Sequence, residues 1–407
     1  MALDRELRIL HVLNHIRESG NGIVNATIDL ACSQAKLGHQ VAVASAGGEY
    51  ETLLQQHGVQ HFSLDQHRSL GNIPKMWQRY GAIINSFRPH IVHGHMMVGV
   101  LLAWGYRQSH RCQPASVMAA LPLVRAKQLH ERDNCDYAVS ATVHNEFQSN
   151  AILMGLADQL ICVSQAVANA MQRRGVPVAK LQVVLNGTLG SPRQATKTSE
   201  PAVKLAGSAI VTVAGMYRRK GISELIEAFS RLSENRPHLN LYIVGDGPDR
   251  QEFEQQAQES PVASQIHFEG FQANPLAYMR AADIFVLASH REPFGLVLSE
   301  ARSAGCAIVA SDVDGIPEAL DGGKAGILCS PHSSSSLEIA LLKLVNDPEK
   351  LEDYQARSQQ NLGRFQVARV AEETLLVYAK MLPVSVANGE NVAPSVATKA
   401  LPSTSLG

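Results

Sequence analysis

Residues 281–328 read AADIFVLASHREPFGLVLSEARSAGCAIVASDVDGIPEALDGGKAGIL, and the fold is decided there. The stretch opens with an apolar run of strand length, Asp283-Ile284-Phe285-Val286-Leu287-Ala288-Ser289. A polar break follows, His290-Arg291-Glu292-Pro293-Phe294-Gly295, with Pro293 suited to the first turn of a helix. Leu296 to Ala304 carries a helical pattern ended by Gly305, and Ala307-Ile308-Val309-Ala310 is a second apolar run. Strand, loop, helix and strand within about thirty residues make a βαβ unit. Such units build parallel sheets, and ligands bind where the carboxyl ends of the strands meet the loops. Glu292 falls in that loop, and Glu300 lies inside the helix, eight residues on. Two carboxylates so spaced can approach one cleft without touching each other. The next loop, Ser311-Asp312-Val313-Asp314-Gly315-Ile316-Pro317-Glu318, also ends a strand, and Gly322-Gly323 and Gly326 follow. Glycines at strand ends let backbone come close to a ligand. On residue types alone, the bland alternative is a loop acid and a solvated helix acid.

The spacing Glu292…Glu300, within Glu-Pro-Phe-Gly-Leu-Val-Leu-Ser-Glu-Ala, resembles the signature of retaining family-4 glycosyltransferases with the GT-B fold. The continuation from Ala304 to Glu318 is similar to the segment that follows it in that family. The resemblance implies that Glu292 contacts a donor sugar and that Glu300 holds the ribose hydroxyls of a nucleotide. Gly295 and Leu296, in the same motif, are placed with the donor-binding residues. The implied architecture is α/β: two Rossmann-like, doubly wound parallel-sheet domains facing a cleft.

Composition bounds this reading without deciding it. The 407 residues suffice for two domains, and 45% hydrophobic with 18% charged residues fits a globular chain. The net charge of −1 gives no basic footprint for nucleic acid. Residues 1–190 hold 16 Lys+Arg against 12 Asp+Glu, which leaves 20 against 25 for the rest. A mildly basic N-terminal half suits an anionic acceptor or peripheral contact with a membrane, and equally suits ordinary scatter of surface charge. The six cysteines show no Cys-x-x-Cys spacing, which predicts a reducing compartment and no zinc site. The start does not read as a signal peptide, and no apolar run nears the roughly 20 residues that span a bilayer. A cytoplasmic location is expected.

The chain in order supports the two-domain reading. A strand over Leu7–Leu13, a loop holding Gly20 and Gly22, a helix over Ile23–Leu37 and a strand over Val41–Ala46 form a mononucleotide-binding pattern. The helix N-terminus aims its positive end at that glycine loop. By resemblance the loop lies at the cleft, near donor phosphate and acceptor. His93 and His95, in Arg88-Pro89-His90-Ile91-Val92-His93-Gly94-His95, share one face of a strand. No third metal ligand is read nearby, so they are taken as structural or loop-lining. Residues 113–136, less periodic and rich in basic groups, read as an acceptor-side loop or a variable connection. Ser140-Ala141-Thr142-Val143-His144-Asn145 resembles the family's Thr-x-His stretch, which carries His144 over as a donor-sugar contact.

In the second half, a strand over Ala209–Ala214 runs into Gly215-Met216-Tyr217-Arg218-Arg219-Lys220-Gly221 and a helix over Ile222–Leu232. A basic cluster between strand end and helix start suits a diphosphate. Lys220-Gly221 matches the family, whereas Met216 stands where the family has arginine. Arg218 and Arg219 are therefore both candidates for phosphate. A strand over Ile266–Phe271 ends at Gly270, and the resemblance places the base near Gly270 and Phe271. The expected boundaries are 1–190 for an acceptor-side domain, 191–204 for a linker and 205–365 for a nucleotide-sugar domain. A helix over 366–382 crosses back to the first domain, and 383–407 is a disordered tail.

The implied reaction is hexosyl transfer, with retention, from a nucleotide sugar, UDP-linked rather than GDP-linked. The acceptor is a glycan or lipid-linked hydroxyl, as in polysaccharide, lipopolysaccharide or glycolipid assembly. Lys220 and a nearby arginine neutralise the leaving diphosphate in place of a metal. No cofactor is expected, and no Asp-x-Asp motif of the metal-dependent sort is read between the domains' strands. Two other classes stay open: an epimerase or hydrolase of nucleotide sugars on the same fold, and a non-catalytic nucleotide-sugar-binding protein.

Overall fold

The computed structural model describes residues 5–67, 69, 71–111, 136–147, 149–194 and 202–382. Most of the acceptor-side loop read at 113–136, half of the linker and the whole of the tail fall outside these residues, as do Cys112 and Cys135.

The N-terminal sheet is built from β1 (Arg8–Val12), β2 (Gln40–Ser45), β3 (Gln60–Ser63), β4 (Ile91–Gly94), β5 (Ala138–Val143), β6 (Gln159–Cys162) and β7 (Leu181–Val183). Its helices are α1 (Gly22–Lys36), α2 (Glu51–Gln56), α3 (Ile73–Phe87), α4 (Met97–Arg111) and α5 (Gln165–Arg173). The order is β3-β2-β1-β4-β5-β6-β7, all parallel. The inner strands are buried along almost their whole length because helices cover both faces. The order reverses beside β1, so a crevice opens at the carboxyl ends of β1 and β4. Register sets His11 of β1 beside His93 of β4.

The C-terminal sheet holds β8 (Ser208–Val213), β9 (Leu239–Val244), β10 (Ile266–Gly270), β11 (Ile284–Leu287), β12 (Ala307–Ser311) and β13 (Ile327–Cys329). Its helices are α6 (Ile222–Ser233), α7 (Arg250–Gln258), α8 (Pro275–Ala281), α9 (Leu296–Ala304), α10 (Ile316–Ala319), α11 (Ser334–Val345) and α12 (Pro348–Ser358). The order β10-β9-β8-β11-β12-β13 reverses beside β8, which puts a second crevice at the ends of β8 and β11. This is the GT-B arrangement of two parallel-sheet α/β domains.

The last helix, α13 (Val367–Ala379), returns to the first domain. Leu375 and Tyr378 pack into the core formed by Leu7, Ile9 and Ile28. The crossing is pinned where Leu189 N donates to the Phe365 carbonyl at 3.0 Å and Val367 N to the Leu189 carbonyl at 2.9 Å. One sequence expectation changes here. Pro293 is not in a first helical turn: α9 starts at Leu296, behind Gly295 at φ 82°, so Pro293 and Phe294 belong to the loop. The segment around Gly326-Ile327-Leu328 ends in a strand, β13, which pairs with β12.

Candidate functional site

The loop after β8 and the loop after β11 meet at the second crevice. Lys220 Nζ lies 2.5 Å from Glu292 Oε2, and the two side chains are 15% and 12% exposed. Gly221 makes this meeting sterically feasible. It has φ 66°, and a Cβ there would lie 1.9 Å from the Ala288 carbonyl oxygen. Gly315 does the same from the other side: a Cβ there would lie 2.1 Å from the Pro293 carbonyl oxygen. Gly315 N donates to the Glu292 carbonyl at 3.1 Å. Asp314 Oδ2 accepts from Glu292 N and from Arg291 Nε, both at 2.9 Å. The loop that presents Glu292 is thus held by the loop after β12. Asp312-Val313-Asp314 has Asp-x-Asp spacing, but Asp314 is already engaged inside this brace.

The other basic residues diverge. The Arg218 guanidinium is bonded to Glu252 on α7 at 2.7 and 3.0 Å and is largely exposed. Arg219 lies over the Tyr217 ring, 5.6 Å from its centroid. Neither is bonded to the Lys220–Glu292 pair. Met216 is fully buried in the core with Leu225 and Ile243. Its backbone bonds to Asp246 and Asp249, which ties the β8 loop to the turn after β9. A thioether at this position packs; it offers no charge to a ligand.

Facing these loops is the glycine turn after β1. A Cβ on Gly20 would meet Phe271 at 3.4 Å, and one on Gly22 would meet Leu296 at 3.2 Å. Asn21 caps α1, its Oδ1 accepting from Ile23 N at 3.0 Å. The residues read as base-side (Gly270, Phe271) and motif-side (Gly295, Leu296) therefore border the turn that holds Gly20 and Gly22. Phe271 is 48% exposed. Glu300 is not part of the Lys220–Glu292 group. Its Oε1 accepts from Gln194 Nε2 at 2.8 Å, and burial pushes its carboxyl above the usual range, with Arg193 opposing. Arg193 in turn grips Asp29 of α1 through two bonds of 2.9 and 2.7 Å.

His144, after β5, is the outer end of a chain of imidazoles. Gln34 Oε1 lies 2.8 Å from His11 Nε2, His11 Nδ1 lies 2.9 Å from His95 Nε2, and His95 Nδ1 lies 3.2 Å from His144 Nε2. Burial lowers His11 and His144 to about 4 and holds His95 well below the ordinary value of 6.5, so all three are neutral. Neutral rings give the chain one direction. His11 Nε2–H donates to the Gln34 carbonyl oxygen, His95 Nε2–H donates to His11, and His144 Nε2–H donates to His95. That leaves His144 Nδ1 as a hydrogen-bond acceptor. His93 stands beside the chain, bonded to Tyr378 Oη at 2.5 Å and Thr142 Oγ1 at 2.7 Å.

The third ligand missing from the sequence reading of His93 and His95 is present: His11, brought in by strand register. The donor atoms of these three residues lie within 4.8 Å of one another. All six ring nitrogens are already hydrogen-bonded, however, and all three residues are buried. A metal would have to displace that network from inside a sealed core.

Sequence reasoning missed the contacts that join the two crevices. Ser164 Oγ donates to the Pro293 carbonyl at 2.6 Å. Glu318 accepts from the backbone amides of Gln165 and Ala166 at 2.9 and 3.0 Å, capping α5 with a carboxylate from the other domain. Arg291 reaches Glu146 at 3.3 Å and lies over the Phe147 ring at 4.2 Å. No periodicity or spacing signals a bond between positions 150 residues apart.

The family described as Glycosyltransferase Family 4 matches residues 20–188, and the one described as Glycosyl transferases group 1 matches residues 197–361. The chain is similar to the glycogen synthase of Mycobacterium tuberculosis, 27% identical over 298 residues, covering 72% of this chain and 69% of that protein. It is 34% identical to the phosphatidyl-myo-inositol mannosyltransferase of Mycolicibacterium smegmatis over 164 residues, covering 39% of this chain and 42% of that one. Among solved structures, Anabaena HepE in complex with UDP-glucose aligns with a TM-score of 0.73 at 19% identity, covering 92% of this chain and 100% of the other. WaaG, a glycosyltransferase involved in lipopolysaccharide biosynthesis, aligns with a TM-score of 0.62 at 16% identity, covering 94% and 100%. At those identities the two structures speak for the fold alone.

Proposed function

Because the chain belongs to the group 1 glycosyltransferases, we propose that it moves a hexosyl group from a nucleotide sugar to an acceptor hydroxyl with retention of anomeric configuration. The observation that carries this reading is the Lys220–Glu292 pair at the carboxyl ends of β8 and β11. Retention follows from front-face attack. The bond from the anomeric carbon to the diphosphate breaks while the acceptor oxygen bonds on the same face, and the acceptor proton passes to the departing diphosphate. No carboxylate nucleophile is needed beneath the sugar.

The protein's part is then positioning and charge. Lys220 Nζ faces the negative charge that builds on the diphosphate, in a partly water-excluded setting where it counts for more than in solution. The α6 N-terminus, directly after Gly221, adds its amide dipoles. Glu292 holds Lys220 in place and meets the sugar hydroxyls. His144 Nδ1, an acceptor, takes a hydrogen bond from a sugar hydroxyl. Glu300 is assigned to the ribose, which requires Gln194 to give up its bond. Arg219, the more weakly held of the two arginines, is assigned to phosphate before Arg218. The glycine turn at Gly20–Gly22 closes over the donor from the first domain, and no metal enters the transfer step.

UDP is the proposed nucleotide; the HepE structures that the fold resembles hold UDP, glucose or UDP-glucose. A glycan or lipid-linked acceptor is proposed by analogy with the glycogen synthase and mannosyltransferase relatives. Among the described residues no helix is long and apolar enough to cross a membrane, so any membrane contact would be peripheral in this part of the chain.

Calorimetry with UDP, GDP, ADP and their sugars, each with EDTA, tests the reading. We expect selective UDP binding that EDTA leaves unchanged. A preference for GDP or ADP would overturn the nucleotide assignment, and loss of binding in EDTA would overturn the metal-free step.

A further inference from the structure

A second group of metal-type donors lies outside the cleft chemistry, at the carboxyl edge of the C-terminal sheet. Glu224 is in the first turn of α6, His290 follows β11, and His332 follows β13. His290 Nε2 lies 2.8 Å from Glu224 Oε1, and the His290 and His332 rings lie with centroids 3.7 Å apart, tilted by 32°. One donor atom from each residue lies within 4.8 Å of the other two. We infer that Glu224, His290 and His332 form a binding site for a divalent transition cation of the zinc type, separate from the transfer reaction.

Four observations carry the inference. First, the donor set is two imidazoles and a carboxylate, which suits zinc and its neighbours; magnesium and calcium take oxygen ligands. Second, Glu224 Oε2 is buried without a hydrogen-bond partner, and a buried oxygen left so is costly. A cation beside the carboxylate would satisfy it. Third, there is an entry path, because His332 is exposed while Glu224 and His290 are half-buried. Fourth, His332 sits at φ 55°, a left-handed conformation uncommon in residues other than glycine. Tetrahedral zinc sets donors roughly 3.3 Å apart, given bonds of about 2.0–2.1 Å. The required contraction falls on His332, whose exposed ring is free to turn.

The buried triad His11–His93–His95 is the contrast. It offers three imidazoles, yet every ring nitrogen is committed and solvent does not reach it. The two groups thus make opposite predictions from similar residue types. The proposed site also has a consequence. It joins the start of α6, directly after the loop that carries Lys220, to the loop after β11 that carries Glu292. A cation there would brace the pair from outside.

The test titrates the metal-free protein with cobalt(II) and zinc(II), following visible absorption of bound cobalt and the thermal midpoint with zinc. We expect one equivalent of cobalt with the intense visible bands of a tetrahedral site, displaced by zinc, and a midpoint that rises with zinc. His332→Gly removes a ligand and accepts the left-handed backbone. The metal-free variant should melt no lower than wild type, with cobalt affinity more than about a hundredfold weaker, beyond the roughly 10–100-fold that the loss of an outer-shell partner costs. Glu224→Gln should weaken binding in the same way. No cobalt binding by wild type would overturn the site, as would undiminished binding by His332→Gly. Binding that is lost only in His93→Gln would assign the metal to the buried triad and also overturn it.

Discussion

On the C-terminal wall of the cleft the polar groups are charged and set against each other, Lys220 against Glu292, with both side chains still reached by solvent. On the N-terminal wall they are neutral imidazoles, linked from the Gln34 amide oxygen through buried His11 and His95 to His144, the one partly exposed member. The difference follows from how each wall meets the cost of burial. A charge kept near water retains part of its solvation, and Glu292 and Lys220 answer each other's charge directly. Four histidines packed among β1, β4 and β5 cannot all be charged, so the fold keeps them uncharged and orders their protons instead. The charged wall is suited to respond to a ligand's charge. The neutral wall is suited to hold one hydrogen-bond acceptor in a fixed place.

The charged wall is the easier to break. Lys220→Ala removes the positive charge proposed to face the diphosphate, and Glu292→Ala frees the lysine and removes the sugar contact. Each should lower the transfer rate by about a hundredfold to a thousandfold, on the order of 3–4 kcal/mol of transition-state stabilisation. Because the pair is partly solvated, both variants should keep the wild-type circular dichroism and a cooperative melt. Rates within a few-fold of wild type in either folded variant would remove the pair from the reaction.

A buried ion pair sharpens the contrast. Arg193 and Asp29 are bonded twice, 7% and 1% exposed, and join the connection between the domains to α1. Asp29 also accepts from Ser191 Oγ at 2.6 Å. Arg193→Met leaves that carboxylate buried and unpaired, which should cost about 3–5 kcal/mol of stability. Urea unfolding measures it. A loss below about 1 kcal/mol would mean that the pair behaves like a surface bridge. The next residue, Gln194, is bonded to Glu300, so the variant should also loosen the cap on the residue assigned to the ribose.

Legibility in the sequence divides along the same line. The charged wall is local: strand, acidic loop and helix run consecutively from Asp283 to Ala304, and Lys220-Gly221 sits between a strand and a helix. Apolar runs and glycine positions alone place both ends of the pair at sheet edges. The neutral wall is non-local. His11, His95 and His144 come from three separate strands, and only the register His11↔His93 and the order β1-β4-β5 bring them together. A histidine inside Arg8-Ile9-Leu10-His11-Val12 gives no sign that its neighbour is another histidine 84 positions on. The role of Met216 was out of reach for the same reason: its partners in the core come from α6 and β9. Helix α4 escaped because Gly99 and Gly105 weaken the helical pattern of Met97–Arg111.

The neutral wall is broken by protons. Unfolded histidine takes up a proton near pH 6.5, whereas His11 and His144 in the fold do so only near 4, and His93 and His95 lie well below 6.5. Below pH 6.5 the unfolded chain therefore binds protons that the folded chain refuses. The stabilising preference for neutral rings is present in full above pH 6.5 and is lost as the pH falls toward 4. Each such histidine adds about 1.4 kcal/mol per pH unit to the slope across that window. Carboxylates contribute their own slope, so the informative quantity is a difference between proteins. His93→Gln removes one refused proton and leaves the charged wall untouched. Between pH 6 and 5 its unfolding free energy should change less steeply than that of wild type by about one proton's worth. Equal slopes would mean that His93 is protonated inside the fold, and the contrast between a charged and a neutral wall would fail at its most buried point.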